Sequence, residues 1–217
     1  MTDKPGIEKI DPLAPDPGLI GRAADIIAGG GLVIYPTRNL YGLAVDAKNP
    51  GAVKKVFEIK KRSPNNPVSI LISSRRDLYM YAKDVSDTAE RVMDRFWPGG
   101  ITMVFKATPG LPDVLTAGTR TIGVRLPAHP AAAALTKAAG TAITATSANL
   151  SGDPGPSRIR DINQSLAEAV DLVLDAGTLE PGTGSTVLDA ASRPHRILRH
   201  GSVTYDLLRD LLEEGSQ

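Results

Sequence analysis

The sequence contains no cysteine, which excludes disulfides, thiolate nucleophiles and thiolate metal ligands together. Histidine is scarce. Three occur, at 129, 195 and 200, and none has a His-x-x-x-His partner, so no metal site is expected. No run approaches the ~20 apolar residues that a membrane span needs. The opening residues, MTDKPGIEKIDPLAPDPG, carry charge and proline where an export signal carries an apolar stretch. These absences together predict a cytoplasmic protein with no membrane association. Excess charge of one sign is missing too: the formal net charge is +1, with only three phenylalanines. A dedicated nucleic-acid binder normally shows a basic excess and aromatic stacking platforms. No Ser-His-Asp set or carboxylate pair stands out.

What remains suffices for a core. With 217 residues, 41% of them hydrophobic, the chain supports one domain. Residues 1–15 read as an arm rich in proline and charge, and residues 16–217 as the domain. Asp16-Pro17 and Asn49-Pro50 are cap-plus-proline helix starts. The first opens a helix ending at Gly29–Gly31, and the second a helix ending near Lys61. Strands are expected at Leu32–Tyr35, Leu43–Val45, Val68–Ile72, Ile101–Lys106, Thr121–Leu126, Ala142–Ala145, Leu172–Leu174, Ser185–Leu188 and Arg196–Leu198. Further helices are expected at Arg75–Tyr81, Ser86–Phe96, Pro130 to Gly140, after Ser157 or Asp161, and at Asp206–Glu213. Strands mixed with helices, several lacking a crossover helix, predict one α/β domain with a mixed sheet.

Four stretches carry polar groups to strand or helix ends. The strand before Pro36 stops there, since proline cannot continue a ladder, and Thr37-Arg38-Asn39 follow. Lys60 and Arg62 end a helix. On a surface such charges interact with the helix dipole for ~0.3–1 kcal/mol, so their loss is expected to leave folding intact. Placed two apart before a turn, they also suit a polyphosphate, lysine as a point charge and arginine as a fork. Thr146-Ser147-Ala148-Asn149-Leu150-Ser151-Gly152 packs hydroxyls and an amide into a loop, which serves either a ligand or its own backbone. Arg120, Arg125 and Arg199 lie at strand ends. The glycines do not make a nucleotide fingerprint: Gly29–Gly31 precedes a strand rather than a helix, and Gly182-Thr183-Gly184-Ser185-Thr186 lacks a P-loop lysine.

Taken in order, these pieces resemble the YrdC-like synthases of L-threonylcarbamoyl-adenylate. The matching segments are GGGLVIYPT with YGLAVDA, Lys60-x-Arg62 with Asn66-Pro67, FWPGGITMVF, TIGVRLPAHP, TSANLSG, GSTVLD and ILRHGSV, from about Ala24 to Val203. The resemblance implies an open, twisted α/β fold with flanking helices and a concave, positively lined cavity. It leaves no room for the further C-terminal domain of the longer family members. The implied reaction joins L-threonine, bicarbonate or CO2 and ATP, with Mg2+, to threonylcarbamoyl-adenylate and pyrophosphate. The product feeds the transfer machinery that modifies adenosine 37 of tRNA to t6A. Carried over by motif, Lys60, Arg62, Asn66, Thr121, Asn149, Ser157 and Arg199 fall at nucleotide-contacting positions. Lys60 and Arg62 also carry the catalytic role. Asn39, Arg125, Ser147 and Ser185 fall at threonine-contacting positions. The chain departs from the family at Arg38 and Asn39, where an acidic residue and a threonine are usual, and at Leu71, where some members have histidine. An RNA-binding module of the same fold, or a paralogue that adenylates the carbamate of another acceptor, are the other readings.

Overall fold

The computed structural model describes residues 6–213. Its first element lies within the stretch read as an arm. Gly6–Lys9 forms β1, a strand without apolar alternation whose order comes from its neighbour. It pairs in parallel with β10 (Leu172–Asp175), and Ile10 beyond it is buried. The two cap-plus-proline starts behave as read. Asp16 accepts the Leu19 amide at 2.7 Å and opens α1 (Pro17–Ala28), and Asn49 accepts that of Ala52 at 3.0 Å and opens α2 (Pro50–Ile59). Each cap satisfies an N–H that the helix itself leaves free.

The strands form two hydrogen-bonded sheets where one mixed sheet was expected. The smaller has the order β1, β10, β2 (Val33–Pro36), β3 (Tyr41–Ala44), β9 (Thr146–Ser147). The larger runs β12 (Arg196–Arg199), β11 (Thr186–Asp189), β6 (Ile101–Ala107), β7 (Thr121–Arg125), β4 (Ile70–Leu71), β8 (Ile143–Thr144). The short β5 (Ala82–Lys83) lies against β6. The segment from Ala142 to Ser147 belongs to both. β8 pairs with β4, the Ala145 N–H donates to the Ser69 carbonyl at 2.7 Å, and β9 pairs with β3. An Asp46–Ile143 bridge and a Thr144 amide to Val45 carbonyl bond of 3.0 Å close the seam. The division arises because this segment changes partner within two residues, which a periodicity of two cannot reveal.

Helix α6 (Pro130–Ala139) packs on α1, and the residues beneath them, including Val33, Tyr35, Leu71 and Leu135, form one apolar cluster. The other faces of the sheets share a larger cluster with α2, α3 (Leu78–Tyr81) and α4 (Asp87–Phe96, capped by Ser86). α8 (Tyr205–Glu213) packs on α4. Other differences from the sequence reading are local. Arg75–Asp77 is a 3₁₀ turn leading into α3. The loop before β7 contains a single turn, α5 (Asp113–Thr116). Asn163, rather than Ser157 or Asp161, caps α7 (Gln164–Glu168), because its Oδ1 reaches the Ser165 amide at 3.0 Å. The polar loop expected from Thr146 starts with β9.

Candidate active site

The C-terminus of α2 delivers Lys60 inward. It was expected at an exposed helix end, but the residue is only 1% exposed. Its ammonium donates to the Ser147 carbonyl, to the Asn149 carbonyl at 2.5 Å and to Asn149 Oδ1 at 3.3 Å. A lysine taken out of water needs such acceptors for all its protons. Burial, with Arg62 close by, lowers its pKa to about 8. The expectation that its loss leaves folding intact rested on a surface location, which the structure replaces with a buried one. The Lys60 carbonyl also accepts the Ser151 amide at 2.8 Å. Lys60 therefore fixes the loop after β9. Asn149 is the other hub: its Oδ1 also accepts the Ser147 hydroxyl, and its Nδ2 donates to Leu150 and Asp153 carbonyls at 2.8 and 2.7 Å.

Lys61 takes a positive φ of 49°, which turns the chain so that Arg62 points back over the next loop. Its guanidinium donates to the carbonyls of Asn66 and Pro67 at 2.9 and 2.7 Å. Partial burial lowers its pKa, yet a guanidinium stays charged. Lys60 and Arg62 thus stand together with Ser147, Asn149 and the exposed Asn66.

Arg125 is the informative group at the other side. It ends β7 half-buried, and its Nε is buried with no hydrogen-bond partner. Burial pushes its pKa down, the nearby Tyr35 opposes that, and Arg199 adds to it. The registers pair Leu71 with Arg125 and place Thr102, Val187 and Arg199 in one row; carrying the β6–β7 register one pair beyond Met103–Val124 sets Thr102 opposite Arg125, and residues in such a row share a face. Arg199 donates to the Ser185 carbonyl at 2.7 Å and to its hydroxyl at 3.1 Å, and that hydroxyl meets Thr102 Oγ1 at 2.8 Å. Two arginines and two hydroxyls therefore converge on one face, and the Arg125 Nε there is left without an acceptor. A cation in that state is destabilised until an anion arrives.

Thr121 lies on the same face of β7, two alternations from Arg125. It opens into a cavity of ≈ 620 Å³ bordered by Lys83, Lys106, Arg120, Asp113 and Ser192. This is a positively lined cavity, but Thr121 alone of the expected site residues borders it. Asn39 turns elsewhere. Its Nδ2 donates to Glu180 and Pro181 carbonyls at 3.0 and 3.3 Å, and the Arg38 side chain pairs with Glu180 at 3.5 Å. Asn39 thus holds the strap from Gly177 to Gly184 beside Ser185. Ser157 supports the same strap, its carbonyl accepting the Leu179 amide at 2.9 Å. Sequence reasoning passed over Thr102 and Tyr35. A threonine alternating with Ile101, Met103 and Phe105 was the available sign for the first.

A family model for Sua5/YciO/YrdC, described as telomere recombination, matches residues 25–201. The chain belongs to the Sua5/YciO/YrdC family. Within that family it is 36% identical over 192 residues to the threonylcarbamoyl-AMP synthase of Pyrococcus abyssi, covering 88% of this chain and 56% of the relative. A putative threonylcarbamoyl-AMP synthase of Mycobacterium tuberculosis is 32% identical over 202 residues, covering 93% of this chain and 92% of the relative. The crystal structure of P. abyssi Sua5 complexed with L-threonine superposes with a TM-score of 0.88 at 34% identity. It covers 95% of this chain and 60% of that one. The chain thus spans little more than half the length of the Pyrococcus relative, and the shared part has the Sua5/YciO/YrdC fold. No helix among the described residues is long and apolar enough to cross a membrane.

Proposed function

We propose that the chain is an L-threonylcarbamoyladenylate synthase, forming threonylcarbamoyl-AMP and pyrophosphate from L-threonine, bicarbonate or CO2 and ATP. The observation that carries this reading is the buried Nε of Arg125, left without a hydrogen-bond partner on a face shared with Arg199. It suits the carboxylate of an amino acid held as a bidentate pair. The relatives' names and the L-threonine in the Pyrococcus structure supply the class of substrate. Threonine's amine takes up CO2, and a carbamate oxygen attacks the α-phosphorus of ATP as pyrophosphate leaves. No side chain needs to become covalently attached. The chain's part is positioning and offsetting charge on the transferring group. Arg125, with Ser147 and Ser185, orients the amino acid. Arg62, Arg199, Asn66, Thr121 and Ser157 hold the nucleotide, and Lys60 with Asn149 shapes the loop against it.

In this reading Mg2+ enters as the counter-ion carried on ATP. The product's use in t6A formation, with tRNA and a downstream transfer protein, belongs to the same proposal. The test is mass spectrometry of the product from ATP, bicarbonate and L-threonine. Threonylcarbamoyl-AMP from the wild-type chain is expected, with at least ~10²-fold less from Arg125→Gln, as for a lost charge-stabilising contact. Pyrophosphate release that prefers another amino acid would move the assignment to a paralogue, and Asn39 and Leu71 are the positions to examine then.

A further inference from the structure

Two of the positions at which the chain departs from its family, Arg38 and Asn39, answer to one segment. They stand in a turn where the Thr37 amide donates to the Leu40 carbonyl at 3.1 Å. From that turn the Asn39 amide donates to the Glu180 and Pro181 carbonyls, and Arg38 pairs with the Glu180 carboxylate. Residues 180–183 are exposed and lie outside any helix or strand. Firm anchors bound them. Leu179 is buried in the larger core cluster and its amide bonds to Ser157. At the other end the Gly184 carbonyl accepts the Ser202 amide at 3.1 Å, and Ser185 is buried. The hydrogen bonds and the ion pair that hold the four residues between come from Arg38 and Asn39. Both side chains of that pair are largely exposed, 79% and 74%, and such a pair is weak. Weak contacts between firm anchors make a segment that can release without disturbing the sheets.

Topology sets this segment across the site. β10 runs parallel to β2, and β11 runs parallel to β6, which is antiparallel to β7. The strap therefore leaves the smaller sheet beside the end of β2 and enters the larger one beside the end of β7, where Arg125 stands. His129, four residues past Arg125, is close enough to feel the Glu180 charge: burial lowers its pKa, and Glu180 opposes that. Residues 180–183 thus pass between Asn39, Ser185 and the loop after Arg125.

We propose that residues 180–183 form a flap that opens to admit the amino-acid substrate and closes over it, with Arg38 and Asn39 as the positioning residues that latch it. The inference rests on the synthase reading and goes beyond it, since Arg38 and Asn39 then govern exchange of the substrate without touching it. Closure suits the chemistry, because shielding from water protects a labile carbamate.

The chain has no cysteine, so one engineered pair can lock the flap. A Cβ at Gly182 would lie 2.7 Å from Asn39 Cγ, and cysteines at both positions are near enough to bridge. Turnover of Asn39→Cys/Gly182→Cys is read as pyrophosphate released with ATP, bicarbonate and L-threonine. The form oxidised with glutathione disulfide is expected to turn over at least about ten-fold more slowly than the form reduced with dithiothreitol, as for a gate held shut. Affinity for a non-hydrolysable ATP analogue is expected to be equal in the two forms. If the pair does not fold or does not bridge, charge reversal decides. Arg38→Glu and Glu180→Arg are each expected to raise the threonine KM about two- to five-fold with kcat less affected, and the double reversal to restore it. High salt should erase these differences. Equal turnover in the oxidised and reduced forms would overturn the inference. So would an equal loss of affinity for the ATP analogue, or a KM that the double reversal does not restore. A redox-dependent rate with a product other than threonylcarbamoyl-AMP would sustain the flap and defeat the synthase reading, and threonylcarbamoyl-AMP made equally fast by both forms would do the reverse. A wild type that releases no pyrophosphate would overturn both.

Discussion

Lys60 shows how far burial changes a residue's role. Its motif marks a cation for phosphate, while its surroundings make it the peg of the loop after β9. That difference has a sign that can be checked. Unfolded, the lysine keeps its proton up to pH about 10.5, and folded it releases it at about 8. Between those values the unfolded chain binds more protons, so this group makes stability rise with pH there, by on the order of 3 kcal/mol in all. Urea denaturation from pH 8 to 10.5 should show that rise in wild type and lack it in Lys60→Met. Equal slopes would mean that the ammonium is not desolvated. Asn39 makes the same point from the other side. Asn39→Thr restores the family's usual hydroxyl but removes both amide bonds to the strap. It is expected to cost about 1 kcal/mol or slightly more, seen as a lower melting temperature. The motif spacing singled out both residues as candidates. Their partners were not legible, because carbonyls that accept from Lys60 or Asn39 come from segments nearly ninety and over a hundred and forty positions away.

Elements with a local cause were readable. Asp16, Asn49 and Ser86 each cap a helix through a residue three positions on, and such short-range bonds leave a sequence signature. β1 and the change of sheet between β8 and β9 have no such cause. They are set by β10 and by the ladders on either side. The loop from Ser147 to Asp153 is the element on which the nucleotide reading depends most. Asn149 ties it at four points, so Asn149→Ala is expected to leave the two sheets paired while loosening that loop. Calorimetric titration with ATP should show affinity lower by about ten-fold or more, in line with the ~1–3 kcal/mol of lost polar partners. Hydrogen exchange should speed up at Ser151, whose amide bonds to Lys60, and remain slow at Thr144. Unchanged exchange at Ser151 would mean the loop is held by other bonds.

At the scale of the molecule, the candidate site lies along the meeting line of two sheets. One contributes Tyr35 and Ser147, the other Arg125, Thr102 and Arg199, and a single six-residue segment joins them. The helices could be placed from sequence, and so could the strands' existence, but their division into two sheets decides which side chains meet. That division also gives residues 6–10 a duty. β10 is wholly buried over Leu172–Leu174, and β1 occupies its outer edge. Beginning the chain at Asp11 would leave that edge's N–H and C=O groups open beside apolar side chains. Such an edge templates strands from other chains. The shortened protein is expected to fold around an intact Arg125 face yet sediment as aggregates at concentrations where the full chain stays dispersed. Residues 6–10, one short strand and the residue after it, would then be what keeps copies of this protein apart.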